Sequence, residues 1–295
     1  MYFNYIGCII IFIIIIYSIL LILSLNLFLI IKKNEITQSL GSTKKYKEIK
    51  ELGSGGYGKV ILVSQGNEYY ALKKIDIREK SEEYINNCYN EINILKSLKK
   101  NDKIVKYHDY YKENGYLNII MEYGGDMNLD KFIKNQKSGI EEKIIKEIFL
   151  QICNGLRVIH EAKIIHRDLT PANIFINTNN YSIKIGDFGI STKLETNKNS
   201  AYTKNRRGAD DYMAPELETG NSFNNKVDIF SLGCILYELF FLRKYKYDKL
   251  YGDVRKIDID LYNKNWQNLI DLLLKTESSE RPDIKKVIQL ISDIK

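Results

Sequence analysis

Gly53-Ser54-Gly55-Gly56-Tyr57-Gly58 sets three glycines in G-x-G-x-x-G spacing between two stretches of strand-like alternation. Glycines let a backbone approach phosphates closely and adopt positive φ. A dinucleotide-binding version of this spacing opens a helix after its last glycine, whereas here the strand-like run KVILV follows. A strand–loop–strand cover over phosphates is favoured, with a plain glycine-rich hairpin as the other reading. Lys73 stands fifteen residues past Gly58 in the apolar run YALKKI. An ammonium there is costly unless its charge is paired. Glu91 lies on the inward stripe of the next helical run, one turn from Cys88 and Leu95. A Lys73–Glu91 pair would hold the lysine against nucleotide phosphates; the bland alternative is two surface charges.

Further on, His166-Arg167-Asp168-Leu169-Thr170-Pro171-Ala172-Asn173 closes an apolar helical run, and Asp187-Phe188-Gly189 begins fourteen residues beyond Asn173. In this order and spacing the motifs resemble the eukaryotic protein kinase family over 46–294, nearly all of the chain beyond its first 45 residues. The three prolines, Pro171, Pro215 and Pro282, each fall in a segment of that resemblance.

The resemblance implies roles residue by residue. Leu52 to Gly58, with Gly53, Ser54, Gly55, Gly56 and Tyr57 between them, would cover the ATP phosphates. Val60, Ala71 and Phe175 would pack on adenine. Met121 would be the gatekeeper, and the Glu122–Tyr123 backbone the hinge that reads the base. Lys73 would contact the phosphates and pair with Glu91. Asp168 would accept the proton of the substrate hydroxyl, and Asn173 and Asp187 would hold Mg²⁺. Two oxygen ligands from different side chains suit so hard an ion. Glu216 would pair with Arg281, Asp228 would brace the catalytic loop, and Leu95, Tyr107, His166 and Phe188 would stack as a spine.

Two positions depart from the family pattern. Thr170 stands where Ser/Thr members carry lysine, and Gly208-Ala209 where they carry Gly-Thr. One cation and one hydroxyl are thereby removed from the transfer site, which predicts turnover slower by about 10²–10³ if one preorganised donor is a fair guide. A pseudokinase scaffold that binds ATP or partners without efficient transfer is the alternative to an active enzyme. Thr170-Pro171-Ala172 and YMAPE favour Ser/Thr over Tyr acceptors in protein substrates. Among the hydroxyls between Asp187 and Glu216, Thr203 is the best placed for a phosphate that pairs with Arg167 and orders the loop. HRDLTPANIF, KIGDFG and NNKVDIFSLG look like the kinases of eukaryotic initiation factor 2α, and equally like NIMA-related kinases.

The elements that must position these residues are legible in the patterning. Strand-like runs YKEIKELGSGGYGKVILV, EYYALKKI, KIVKYHDYYKE and YLNIIMEY surround one helical run, SEEYINNCYNEINILKSL. After Gly125 the pattern turns helical, with Ile145, Ile148, Phe149, Ile152, Leu156 and Ile159 on one stripe. The expected fold is therefore α+β and bilobal: a small β-rich lobe (46–123) before a larger helical lobe (124–294).

Composition bounds the rest. The chain has 295 residues, 44% hydrophobic, with four cysteines and a net charge of +7. Disorder throughout, collagen-like repeats and disulfide scaffolds are excluded. The cysteines read as small buried apolar residues. No charge precedes Lys32, and 32–50 carries six lysines against two glutamates. With the remainder near neutral, no nucleic-acid surface is suggested. Residues 6–31 are uncharged, longer than the roughly 20 a bilayer core requires. No basic residue precedes them and no small-x-small site follows, against a cleaved signal peptide. The expectation is one transmembrane helix, a short outer terminus (1–5), a basic linker (32–45) and a cytosolic kinase body. Such tethering would also favour self-association and trans-phosphorylation.

Overall fold

The computed structural model describes residues 16–17, 19–26, 46–55, 58–98, 100–125, 127–194, 200–201, 210–218, 222–245 and 264–294. Two lobes meet along a cleft. The first is a five-stranded antiparallel sheet in the order β1-β2-β3-β5-β4. Its strands are β1 (Lys47–Gly55), β2 (Gly58–Gln65), β3 (Glu68–Asp76), β4 (Tyr107–Glu113) and β5 (Tyr116–Glu122). Gly66, at φ 60°, supplies the left-handed turn of the tight β2–β3 hairpin, whose end residues Gln65 and Glu68 pair directly.

Helix α1 (Glu82–Leu98) crosses this sheet. Acidic residues Glu82 and Glu83 open it and Lys96 closes it, matching the helix dipole. It buries Cys88, Glu91, Ile92, Ile94, Leu95 and Leu98, so a carboxylate shares the apolar face.

The second lobe carries β6 (Met127–Asn128), α2 (Leu129–Lys134), α3 (Glu142–Glu161), β7 (Ile164–Ile165), β8 (Ile174–Ile176), β9 (Ile183–Ile185) and β10 (Thr192–Lys193). Four helices follow: α4 (Pro215–Glu218), α5 (Lys226–Phe241), α6 (Lys264–Leu273) and α7 (Ile284–Asp293). The stripe expected on α3 is fully buried, from Ile145 to Ile159. Helix α5 is buried on every side from Val227 to Phe240, which makes it the central post of the lobe. A Cβ on Gly233 would lie 2.9 Å from Leu273 Cβ, so its glycine lets α6 pack closely. Strands β6, β8 and β9 form one small sheet, and β7 and β10 another. Together they hold the loops that face the cleft. Cys88, Cys153 and Cys234 are buried free thiols, as expected, and burial pushes all three up from the ordinary thiol range.

The transmembrane helix expected over 6–31 is corrected, and with it the single-pass membrane placement and the cytosolic side assigned to the body. Among the described residues no helix is long and apolar enough to cross a membrane. Residues 16–17 and 19–26 are helical. The expected outer terminus 1–5, residues 6–15, 18 and 27–31 of the expected span, and all of the linker 32–45 lie outside the described residues.

Candidate active site

The cleft between the lobes encloses about 270 Å³. Leu52, Gly53, Val60, Ala71, Lys73, Glu91, Met121, Glu122, Tyr123, Asn173, Phe175 and Asp187 line it, all of them expected there from the sequence. Ser54, Gly55 and Gly58 do not line it: Gly58 instead faces the outer side of the sheet, at φ 114°. A Cβ on Gly58 would sit 2.3 Å from the Lys74 carbonyl oxygen, so that turn admits only glycine. Gly56 and Tyr57 lie outside the described residues.

Sheet register explains the roof of the cleft. Ala71 pairs with Met121 across β3 and β5, and Val60 pairs with Lys73 across β2 and β3. The floor is Phe175, on β8. Its ring lies about where a Cβ on Gly124 would come within 3.1 Å, so the hinge approaches the floor through a residue without a side chain. The Glu122 amide donates to Lys106 O at 2.9 Å and is already committed. The Glu122 carboxylate meets Lys184 at 3.1 Å on β9, tying the hinge to the second lobe.

Lys73 is 4% exposed. Its ammonium donates to Glu91 Oε1 at 2.7 Å, to Glu91 Oε2 at 3.0 Å and to Asp187 Oδ1 at 2.8 Å. Burial alone would strip its proton, but the two carboxylates outweigh burial and hold Lys73 charged, above the ordinary lysine range. Asp187 feels the same balance in reverse. Burial raises it, and the Lys73 ammonium overcomes this and keeps it below the ordinary carboxylate range.

Asp168 lies on the loop between β7 and the short turn Pro171–Asn173. Asn173 Nδ2 donates to both the Asp168 carbonyl and Asp168 Oδ2 at 2.9 Å. With its amide nitrogen spent there, Oδ1 is the oxygen left for a cation. Asp187 carries a second oxygen into the same cleft. Among the described residues no group of three or more His, Cys, Asp or Glu could hold a metal ion. An oxygen-only pair fits Mg²⁺, which keeps several waters and takes substrate phosphates as further ligands. Arg167 and Asp187 both hold positive φ, 67° and 57°, which non-glycine residues keep only where surroundings enforce it.

The surroundings do so. Asp228, fully buried on α5, accepts the backbone amides of His166 at 2.9 Å and Arg167 at 2.8 Å, and a hydrogen bond with His160 Nε2 at 2.8 Å. His166 Nε2 lies 3.0 Å from the Gly186 carbonyl, and its ring sits 4.9 Å from that of Phe188. Leu95 is buried in the same core, with Tyr107 partly buried against it. Arg281 forks onto Glu216 at 2.7 and 2.9 Å. Arg167 donates to Ile190 O and Thr192 Oγ1, while Thr203, its expected phosphorylated partner, lies outside the described residues, as do Gly208 and Ala209.

The sequence reading did not single out Val105, Gly125, Met127, Asn128, Lys131 or Ala172, which also line the cleft. Asn128 is the most informative omission. Its side chain caps α2 through the Lys131 amide and donates to Ala172 O at 3.3 Å, joining the hinge side to the catalytic loop. An asparagine directly before a helical run is a capping signal. His160, the partner of Asp228, carried no comparable signal.

Residues 46–290 match the protein kinase domain family. Serine/threonine-protein kinase Nek1 of Mus musculus is 32% identical over 262 residues, covering 83% of this chain and 21% of that protein. A probable serine/threonine-protein kinase nek3 of Dictyostelium discoideum is 36% identical over 262 residues, covering 83% and 23%. Serine/threonine-protein kinase nekl-2 of Caenorhabditis elegans is 32% identical over 268 residues, covering 84% and 73%. The chain thus spans less than a quarter of the first two proteins and most of the third. The family match over most of the chain and this similarity lead to one conclusion: the chain belongs to the eukaryotic protein kinase family, in its NIMA-related branch.

Proposed function

We propose that the chain transfers the γ-phosphoryl group of ATP to serine and threonine hydroxyls of protein substrates, with Asp168 as the base. The observation that carries this is the double contact of Lys73. One ammonium is tied at once to Glu91 on α1 and to Asp187 beside the catalytic loop. That ties together both walls of the cleft in the arrangement phosphoryl transfer requires. Lys73 binds and orients the phosphates. Asn173 holds the Asp168 carboxylate through Oδ2, which orients it on the catalytic loop. Asn173 Oδ1 and the Asp187 carboxylate would hold Mg²⁺. When bound, the ion supplies charge neutralisation across the phosphate oxygens. The apolar side chains of Val60, Ala71, Met121 and Phe175 would pack on the adenine and exclude water from it. The names of the relatives support serine and threonine as acceptors.

The test is transfer from labelled ATP to dephosphorylated casein by the full chain with Mg²⁺, followed by phosphoamino-acid analysis. Labelled phosphoserine and phosphothreonine are expected, falling about 10²–10⁴-fold in Asp168→Asn. ATP binding with no transfer by the unaltered chain would overturn the proposal, and Thr170 and Ala209 would then be the positions to restore.

A further inference from the structure

Asn90 sits beside Glu91 on α1 and points to the far side of the Asp187-Phe188-Gly189 segment. Its Nδ2 donates to the Ser191 carbonyl at 3.2 Å. Ser191 is only 5% exposed. Its hydroxyl donates to the His166 carbonyl at 3.0 Å, and its amide donates to Phe188 O at 3.1 Å. A single residue thus receives α1 on its carbonyl and grips, with its hydroxyl, the loop that carries Asp168. The Lys73–Glu91 pair already joins α1 to the sheet and to Asp187. The Asn90–Ser191 connection leaves the neighbouring residue and ends two residues from Asp168, without touching any reacting atom.

We infer that Asn90 and Ser191 are positioning residues: a strap between α1, the segment after Gly189 and the catalytic loop that keeps Glu91 seated on Lys73 when the cleft is assembled for transfer. This rests on the phosphoryl-transfer reading above. The logic is geometric. Were α1 to swing away from the cleft, Glu91 would leave Lys73 and a buried carbonyl would lose its donor in the same motion. Each bond is neutral, and such a bond shifts an equilibrium by about two- to twelvefold.

Four variants of the full chain test it: Asn90→Leu, which keeps the shape and removes the donor; Asn90→Gln, which keeps the amide; Ser191→Ala; and Asn90→Leu with Ser191→Ala. The readouts are kcat and KM for ATP with casein, Tm, and hydrogen exchange of the α1 amides. Asn90→Leu and Ser191→Ala should each lower kcat about three- to tenfold. The double variant should lose less than the product of the two, because the bonds act in series. Asn90→Gln should recover most of the loss. Exchange of 82–98 should accelerate in the variants that break the strap, while Tm moves by no more than about 4 °C. Wild-type kcat and exchange in both single variants would overturn the inference, as would a fully multiplicative double variant or an Asn90→Gln as poor as Asn90→Leu. If the unaltered chain shows no transfer, exchange decides alone: faster exchange of α1 supports the strap, unchanged exchange removes it. If Asn90→Leu does not fold, Ser191→Ala decides by the same two measurements.

Discussion

Asp228 Oδ1 accepts the backbone amide of Arg167 at 2.8 Å, and Arg167 is held there at φ 67°. A buried carboxylate on the central helix α5 thus sustains a strained backbone one residue before Asp168. Asp228→Ala would leave two amides and His160 without this acceptor. Destabilisation of about 3–5 kcal/mol is expected, with loss of transfer. The pH dependence has a definite sign. Burial raises the Asp228 carboxyl, but its hydrogen bonds and the neighbouring histidines win and hold it below its ordinary value of 3.8. A depressed carboxyl contributes stability that is complete above the ordinary value and lost as pH falls through the depressed one. Thermal unfolding from pH 5 down to pH 2 should therefore show an acid-side loss, below the ordinary value of 3.8, that is smaller in Asp228→Asn. Parallel curves for the two proteins would refute the assignment.

Much of this site was legible because it is made of short, locally ordered motifs. Gly53, Lys73, Glu91, Asp168, Asn173 and Asp187 each stand in a run whose spacing fixes their place. The buried stripe of α3 and the all-apolar α5 were equally readable, since period and run length report burial directly. What was not legible depends on packing between distant segments. Nothing near His160 in sequence says that it meets Asp228, 68 residues away. Nothing near Asn90 says that it reaches Ser191, 101 residues on. The glycine loop shows a subtler limit: its spacing does not say that Gly58 is required by its own turn, where a Cβ would meet the Lys74 carbonyl. The expected membrane span failed for another reason. Hydropathy reports what a segment would tolerate, and among the described residues no helix is long and apolar enough to cross a membrane.

Lys73 and Glu91 form a buried pair whose energetics are asymmetric. Lys73→Met leaves Glu91, 2% exposed, as an uncompensated carboxyl that burial pushes upward. Breaking one side of such a pair costs about 3–5 kcal/mol, whereas replacing both partners with apolar groups is often neutral. Lys73→Met should lower stability to denaturant by that amount, and adding Glu91→Leu should recover most of it. Both proteins should lack transfer. A double variant no more stable than Lys73→Met would show that the pair is not the energetic unit.

Arg281 is 1% exposed and its guanidinium makes five contacts at once: two to Glu216 and three to the carbonyls of Lys275, Thr276 and Lys226. Lysine carries the charge but not the planar fork. Arg281→Lys should therefore behave as a severe change, destabilising by about 2–4 kcal/mol because buried carbonyls lose their donors. Chemical denaturation measures this directly. A midpoint unchanged from wild type would mean that charge alone, rather than the fork, anchors Glu216 and the segment before α4.

Thr170 is 4% exposed, and its carbonyl accepts the Asn173 amide at 3.0 Å, so its backbone belongs to the turn that aims Asp168 and Asn173. Its side chain stands where the family supplies a cation to the transferring phosphate. Thr170→Lys keeps the backbone and restores that charge two residues from the Asp168 carboxylate, a partner that limits the cost of burying it. Charge aimed at a developing phosphoryl oxyanion acts in the transition state, so kcat should rise by about tenfold or more while KM for ATP changes less. Steady-state transfer to casein by the two proteins, compared at matched Tm, gives the answer. Equal or lower kcat in a stable Thr170→Lys protein would show that this cleft has been rebuilt to work without the lysine.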